Sequence, residues 1–162
     1  MKIALLSFEY PPETGFGGIG TYAWCQARAL AKLGHQVHVI AGATSPTPLR
    51  SSDHDGVTVF RYRAGGRAMS ALGRLDRLGL SWTKNRLENA WSMHFALKEL
   101  LRSEQYDVVE MPECGGEGLL INHFSSQRTV VRFHSPAELI MPTYDSGKAD
   151  HFACSLVERL AI

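Results

Sequence analysis

Paired cysteines, long apolar runs and an excess of one charge are all missing from this sequence, and each absence closes off a class of function. Its three cysteines, Cys25, Cys114 and Cys154, are widely spaced, odd in number and form no C-x-x-C pair. That spacing argues against a disulfide framework and against the usual zinc or redox sites, and a reducing compartment is the simpler reading. No stretch approaches the roughly 20 apolar residues that a membrane-spanning helix needs. The apolar start is broken by Glu9, Pro11 and Pro12, too soon for a secretory signal. A cytoplasmic chain is expected, with peripheral contact at the inner membrane surface left open. Lys and Arg number 17 against 16 Asp and Glu, a formal charge of +1, so no nucleic-acid partner is expected. The basic residues between Arg61 and Arg86 lack the interleaved aromatics of a single-strand binder. They read as a solvated face, or as a site for a phosphorylated acceptor or an anionic membrane surface. His123, His134 and His151 are not paired at metal-ligand spacing, and no metal or other cofactor is expected.

What is present is an alternation of strand-like and helix-like segments. At 162 residues the chain suffices for one α/β domain and is too short for two. Strands are expected over residues 3–6, 37–40, 57–62, 106–111 and 129–133, and residues 41–56 read as a surface loop rich in Ser, Thr, Pro, Gly and Asp. A helix is expected over residues 18–33, capped by Gly34. Residues 63–86 read as loop plus short helix. A second long helix follows, with Leu87, Ala90, Trp91, His94, Leu97 and Leu101 on its apolar face. A short helix is expected over residues 119–124. From Lys148 onward Phe152, Leu156 and Leu160 recur at helical spacing, and the sequence reads as cut near that helix's end. The fold class is α/β: a Rossmann-like parallel sheet with helices on both faces.

The glycines cluster where strands give way to helices. Gly15, Gly17 and Gly20 satisfy G-x-G-x-x-G, so an NAD(P)-binding domain is one alternative. Against it, residues 9–14 separate the strand from the first glycine, and the second strand ends in Ala41-Gly42 where an acid should meet the ribose. The bland reading is that the glycines only turn the chain. The chemical one is that Gly17, Gly18 and Gly20 open a helix whose first amides have no partner, which suits a diphosphate. Glu113-Cys114-Gly115-Gly116-Glu117-Gly118 is a second such loop. Glu113 is a candidate acceptor ligand, because a carboxylate can take sugar hydroxyls in pairs. Glu117, opening the following helix, could accept sugar hydroxyls in the same way or equally be a plain partner for the helix dipole. His134 and Ser135 project from a strand's carboxyl end, where α/β folds place ligands; for His134 the bland reading is a hydrogen bond to backbone at the strand end.

The order Pro11-Pro12 … Gly17-Gly18-Ile19-Gly20 … Leu30-Ala31-Lys32-Leu33-Gly34-His35-Gln36-Val37-His38-Val39 resembles the opening of glycosyltransferase family 4. Residues 107–118 and 131–136 are similar to family segments in the matching places. The resemblance implies one half of a GT-B fold: the N-terminal, acceptor-side domain, over residues 1–162, of a retaining enzyme that transfers a sugar from a nucleotide-sugar to a sugar or phosphorylated acceptor. It implies that Gly17, Gly18 and Gly20 meet the donor phosphates and the acceptor, and that His134 lies near the transferred sugar as the catalytic candidate. It also implies a partner, the C-terminal donor-binding domain, whose E-x7-E element does not occur here in a comparable context. Without that domain the chain is expected to be inert. A stand-alone sugar- or phosphate-binding module, using the same two glycine loops, is the alternative from another class.

Overall fold

Alternate residues of the first strand face opposite sides of the sheet, and both sides are apolar: Ile3 and Leu5 pack on one, Ala4 and Leu6 on the other. Such a strand is stable only at the centre of a sheet covered on both faces. The computed structural model describes residues 1–15, 17–144 and 146–162, so Phe16 of the glycine stretch lies outside the described residues. In chain order the elements are β1 (Lys2–Ser7), α1 (Gly18–Lys32), β2 (Gln36–Ala41), β3 (Thr47–His54), β4 (Val57–Arg63), α2 (Arg67–Leu72), α3 (Arg74–Arg77) and α4 (Ser81–Leu100). After them come β5 (Val108–Pro112), a 3-10 turn at Cys114–Gly116, α5 (Leu119–Phe124), β6 (Thr129–Arg132), α6 (Ala137–Ile140), a second 3-10 turn at Met141–Thr143, and α7 (Lys148–Leu160).

The sheet runs β3-β4-β2-β1-β5-β6. All neighbours are parallel except β3, which lies antiparallel on β4. Ala23 and Ala27 of α1 cover one face, against Ile3, Leu5, Val37, Val39, Val57 and Val59. Met93, Ala96, Leu97 and Leu100 of α4 cover the other, with Ile121 of α5. The small side chains on α1 let it lie close to the strands. The parallel sheet with helices on both faces is thus as the sequence predicts.

Four expectations are corrected. Residues 47–54 are a strand, not loop; the chain reverses at Asp55 and Gly56, both with positive φ, 54° and 80°, which is the two-residue hairpin that Asp-Gly favours. Residues 63–86 hold two short helices and the first turn of α4, which begins at Ser81. The buried face of α4 contains Ala90, Met93, Ala96, Leu97 and Leu100, while Trp91 points outward. In α7 the expected apolar stripe is on the outside: Phe152, Leu156 and Leu160 are 73%, 45% and 49% exposed, and Asp150, Cys154, Ser155 and Glu158 are buried.

Candidate functional site

Strand order reverses at β1, because β2 continues the sheet on one side and β5 on the other. Connections leaving the two strands in opposite directions open a crevice at their carboxyl ends, the place where α/β sheets bind ligands. A cleft of 620 Å³ lies there. It is walled by Phe8 and Glu9 after β1, Ala43 and Thr44 after β2, Cys114, Gly115 and Glu117 after β5, and Ser135 after β6. The first two turns of α4 close another side with Trp82, Asn85, Arg86, Glu88 and Asn89.

The glycines of the first loop divide by what surrounds them. Gly15 has φ +66°, and a Cβ on it would sit 2.3 Å from Glu9 Cβ; a Cβ on Gly20 would sit 2.7 Å from the Gly15 carbonyl oxygen. These two are required by the turn itself. Among the described residues no heavy atom lies within 4 Å of where a Cβ on Gly18 would sit, and one on Gly17 would meet Glu9 Oε2 at 3.5 Å. Their lack of a side chain serves no packing in this chain, so it leaves space. Thr21 makes the first intrahelical bond, to the Gly17 carbonyl at 3.1 Å, and no side chain caps α1. The amides of Gly18 and Ile19, without partners among the described residues, therefore open on that space with the positive end of a 15-residue helix behind them, while Gly20 is buried beneath it.

The lead into this loop is held by Arg61, a member of the stretch read as a basic face. Its side chain is buried and donates to the carbonyls of Gly42 at 3.0 Å and of Tyr10 and Pro11 at 2.9 Å. Glu13 lies 3.6 Å from its Nε, accepts from Thr44 N at 3.2 Å and also binds Arg50. Arg86 is likewise committed, donating through Nε to Glu158 at 3.0 Å, and Lys84 bonds Asp76 at 2.7 Å. Structural roles thus absorb much of the basic stretch, while Arg67, Arg74 and Arg77 stay on the surface.

At the end of β6, Arg132 Nε donates to His134 Nε2 at 2.7 Å, and Arg132 Nη1 donates to Glu110 at 2.5 Å and to Gln26 of α1. Because Nε2 accepts, the neutral imidazole carries its proton on Nδ1. Burial, and then the charge of Arg132, hold His134 below its ordinary value, so it remains neutral near pH 7 and can donate a hydrogen bond but supplies no charge. Its ring stands edge-on to Tyr22, 5.2 Å between centroids; Tyr22 is one turn along α1 from Gly18. His134 does not line the cleft, whereas Ser135 does.

Glu113, expected as an acceptor ligand, is 0% exposed. Its Oε1 accepts from the His134 amide at 2.7 Å, so in this conformation it shapes the His134 loop instead of facing a ligand. Glu117 is not a helix-dipole partner: its Oε1 accepts from the Phe8 amide at 2.9 Å and its Oε2 is buried without a partner among the described residues. Desolvation pushes its pKa up to about 8. The second glycine loop is a packing device. A Cβ on Gly116 would lie 2.8 Å from Val157, one on Gly118 2.5 Å from Met111 Sδ, and the Gly115 amide is taken by Glu158 at 3.0 Å. Sequence reasoning missed the cleft's α4 wall and its aromatic end, where Trp82 and Tyr144 stand 5.3 Å apart. The available signal was Asn85 and Asn89, polar at i and i+4 beside Trp82 on one helix face.

A parallel sheet with a cleft at its switch point and a helix opening beside it defines the class: a Rossmann-like domain. The match to a glycosyl transferase 4-like domain covers residues 17–162, and the chain belongs to that family. It is similar to an MMP alpha-(1->4)-mannosyltransferase of Mycolicibacterium hassiacum, 33% identical over an alignment of 131 residues, with 74% of this chain and 31% of the relative covered. Among solved structures, sucrose-phosphate synthase from Thermosynechococcus elongatus superposes with a TM-score of 0.66 at 18% identity, over 99% of this chain and 39% of that one. The catalytic domain of starch synthase IV from Arabidopsis thaliana gives 0.53 at 15% identity, over 83% and 34%. The fold is that of one half of a GT-B enzyme, and the chain spans about a third of the length of these relatives.

Proposed function

We propose that the chain is the N-terminal, acceptor-side domain of a retaining glycosyltransferase, acting with a C-terminal domain that binds the nucleotide-sugar. The observation that carries this reading is the start of α1: the amides of Gly18 and Ile19 without partners among the described residues, open space at Gly17 and Gly18, and a 620 Å³ cleft alongside. An acceptor seated in the cleft would lie beside a donor diphosphate seated on the amides, the arrangement that transfer between them demands. Loop amides and the helix dipole would stabilise the phosphate charge as the glycosidic bond breaks, with no divalent metal invoked. His134, kept neutral with Nδ1–H as donor, would hydrogen-bond the transferred sugar or the departing phosphate, and Ser135 would meet the acceptor from the cleft wall.

Closure of the second domain would exclude water from the reacting centre, so the 162-residue chain alone turns over no nucleotide-sugar; turnover by it would overturn the proposal. Gly18→Leu gives the sharper test. Among the described residues nothing lies within 4 Å of the added Cβ, and a better helix former replaces glycine, so stability of the chain should hold or rise by up to about 1 kcal/mol. In the two-domain protein the same side chain occupies the phosphate space, and sugar transfer should fall on the order of a hundredfold. Unchanged transfer would remove the helix start from the site.

A further inference from the structure

We propose that the cleft selects a neutral, polyhydroxylated acceptor, a sugar or glycoside, and rejects its phosphorylated form; the inference rests on reading the cleft as the acceptor site. Among the described residues its walls carry two cations, and both are committed. Arg63 donates to the Thr44 carbonyl at 2.9 Å and lies 3.7 Å from Glu88. Arg86 puts Nε and Nη2 on Glu158 Oε1, each at 3.0 Å. Glu9 and Glu88 stand on the same walls, and Glu9 forms no ion pair among the described residues. A phosphate dianion entering here would shed water, find no uncommitted guanidinium or ammonium, and meet carboxylates instead.

A sugar finds what it needs. Trp82 and Tyr144 form one end of the cleft, their rings 5.3 Å apart and tilted by 46°, a surface on which the C–H face of a pyranose can lie. Asn85 and Asn89 supply both donors and acceptors, and Glu9 and Glu88 accept hydroxyl pairs. Glu9 is also the group beside Gly17, with Oε2 3.5 Å from that residue's Cβ position. An acceptor hydroxyl held by Glu9 is therefore delivered to the edge of the open helix start.

The test is an NMR titration of the chain with methyl α-mannoside and, separately, with mannose 6-phosphate, following the Trp82 indole N–H. The neutral glycoside should shift that resonance and bind at least about tenfold more tightly than the phosphate. Tyr144→Ala should weaken glycoside binding, which covers the case in which a Trp82 variant fails to fold. Glu88→Gln should narrow the glycoside-to-phosphate ratio several-fold. Equal or tighter binding of the phosphate, or no shift with either ligand, overturns the inference. Tighter phosphate binding at the same resonance would overturn the selectivity while leaving the acceptor-site reading intact, whereas no shift of that resonance with either ligand would overturn both.

Discussion

Replacing Glu117 by Gln should flatten the alkaline side of the stability profile. In the folded chain this carboxyl is enclosed, with one oxygen accepting the Phe8 amide at 2.9 Å and the other unpartnered. Desolvation, opposed by that one bond, lifts its pKa from 4.5 to about 8. The folded value is raised, so the neutral acid is the native form, and no penalty exists below the unfolded value. As pH rises from 4.5 toward about 8, the unfolded chain releases this proton while the folded chain retains it, and stability is lost across that window. A gap of about 3.5 pH units at about 1.36 kcal/mol each sets a ceiling near 5 kcal/mol. Relaxation around a charged Glu117 should leave on the order of 2–3 kcal/mol of it. Glu117→Gln, an uncharged isostere of the acid, removes the dependence. Urea unfolding of both proteins at about pH 5 and about pH 8.5 reads the difference directly. The variant's advantage should grow by about 2–3 kcal/mol between the two conditions. Parallel profiles, within about 0.5 kcal/mol, would refute the claim that the buried carboxyl is held neutral.

Two further outcomes test how the site is held. Arg61→Ala strips donors from the carbonyls of Tyr10, Pro11 and Gly42 and should cost about 3–4 kcal/mol, lowering Tm by roughly 10 °C in a differential scanning measurement; a shift under about 2 °C would mean that the lead is held by other contacts. Phe152→Ala on the outer face of α7 should change unfolding free energy by less than about 1 kcal/mol, whereas Asp150→Ala on its inner face should cost about 2–3 kcal/mol. The reverse order would mean that α7 packs through its apolar stripe.

The central part of the fold is readable because its local signals agree. A doubly apolar run at residues 3–6, a small-residue helix face at Ala23 and Ala27, and Gly34 before Val37-His38-Val39-Ile40 all lead to one β-α-β unit. The hairpin at β3 escaped because Thr47-Pro48-Leu49-Arg50-Ser51-Ser52 has little strand propensity; it is a polar edge strand, pinned by pairing to β4 and by the Asp55-Gly56 turn. On α4 the expected apolar face is displaced because Trp91 lies against Phe95, 5.1 Å between centroids, on the helix's outer side. At the site, the open helix start follows from the glycines, but which glycine is needed for packing and which leaves space depends on what lies across from each one. For the same reason the bond from Glu113 to the amide of His134, 21 residues away, was not legible, since no spacing rule reports that distance.

The reversed face of α7 has a cause in the ends of other helices. α4 begins at Leu80-Ser81 without a capping side chain of its own. Asp150 supplies the cap from α7, accepting the Trp82 amide at 2.9 Å, the Thr83 amide at 2.8 Å and the Thr83 hydroxyl at 2.6 Å. Glu158, two turns on, accepts the Ala137 amide at the start of α6 at 2.5 Å and the Gly115 amide at 3.0 Å, and it neutralises Arg86. Each acid satisfies several buried donors at once, which a leucine in its place could not do, and an unmet buried amide costs about 1–3 kcal/mol. Six groups, four amides, one hydroxyl and one guanidinium, therefore outweigh the burial of Phe152, Leu156 and Leu160. The same acids fix the α4 wall and the Cys114–Gly116 turn against each other, so the shape of the cleft depends on a helix that contributes no side chain to its lining. Period alone assigns α7 its apolar stripe as the inward face; counting the unpaired donors at its neighbours' ends assigns the polar one, and the structure follows the donors.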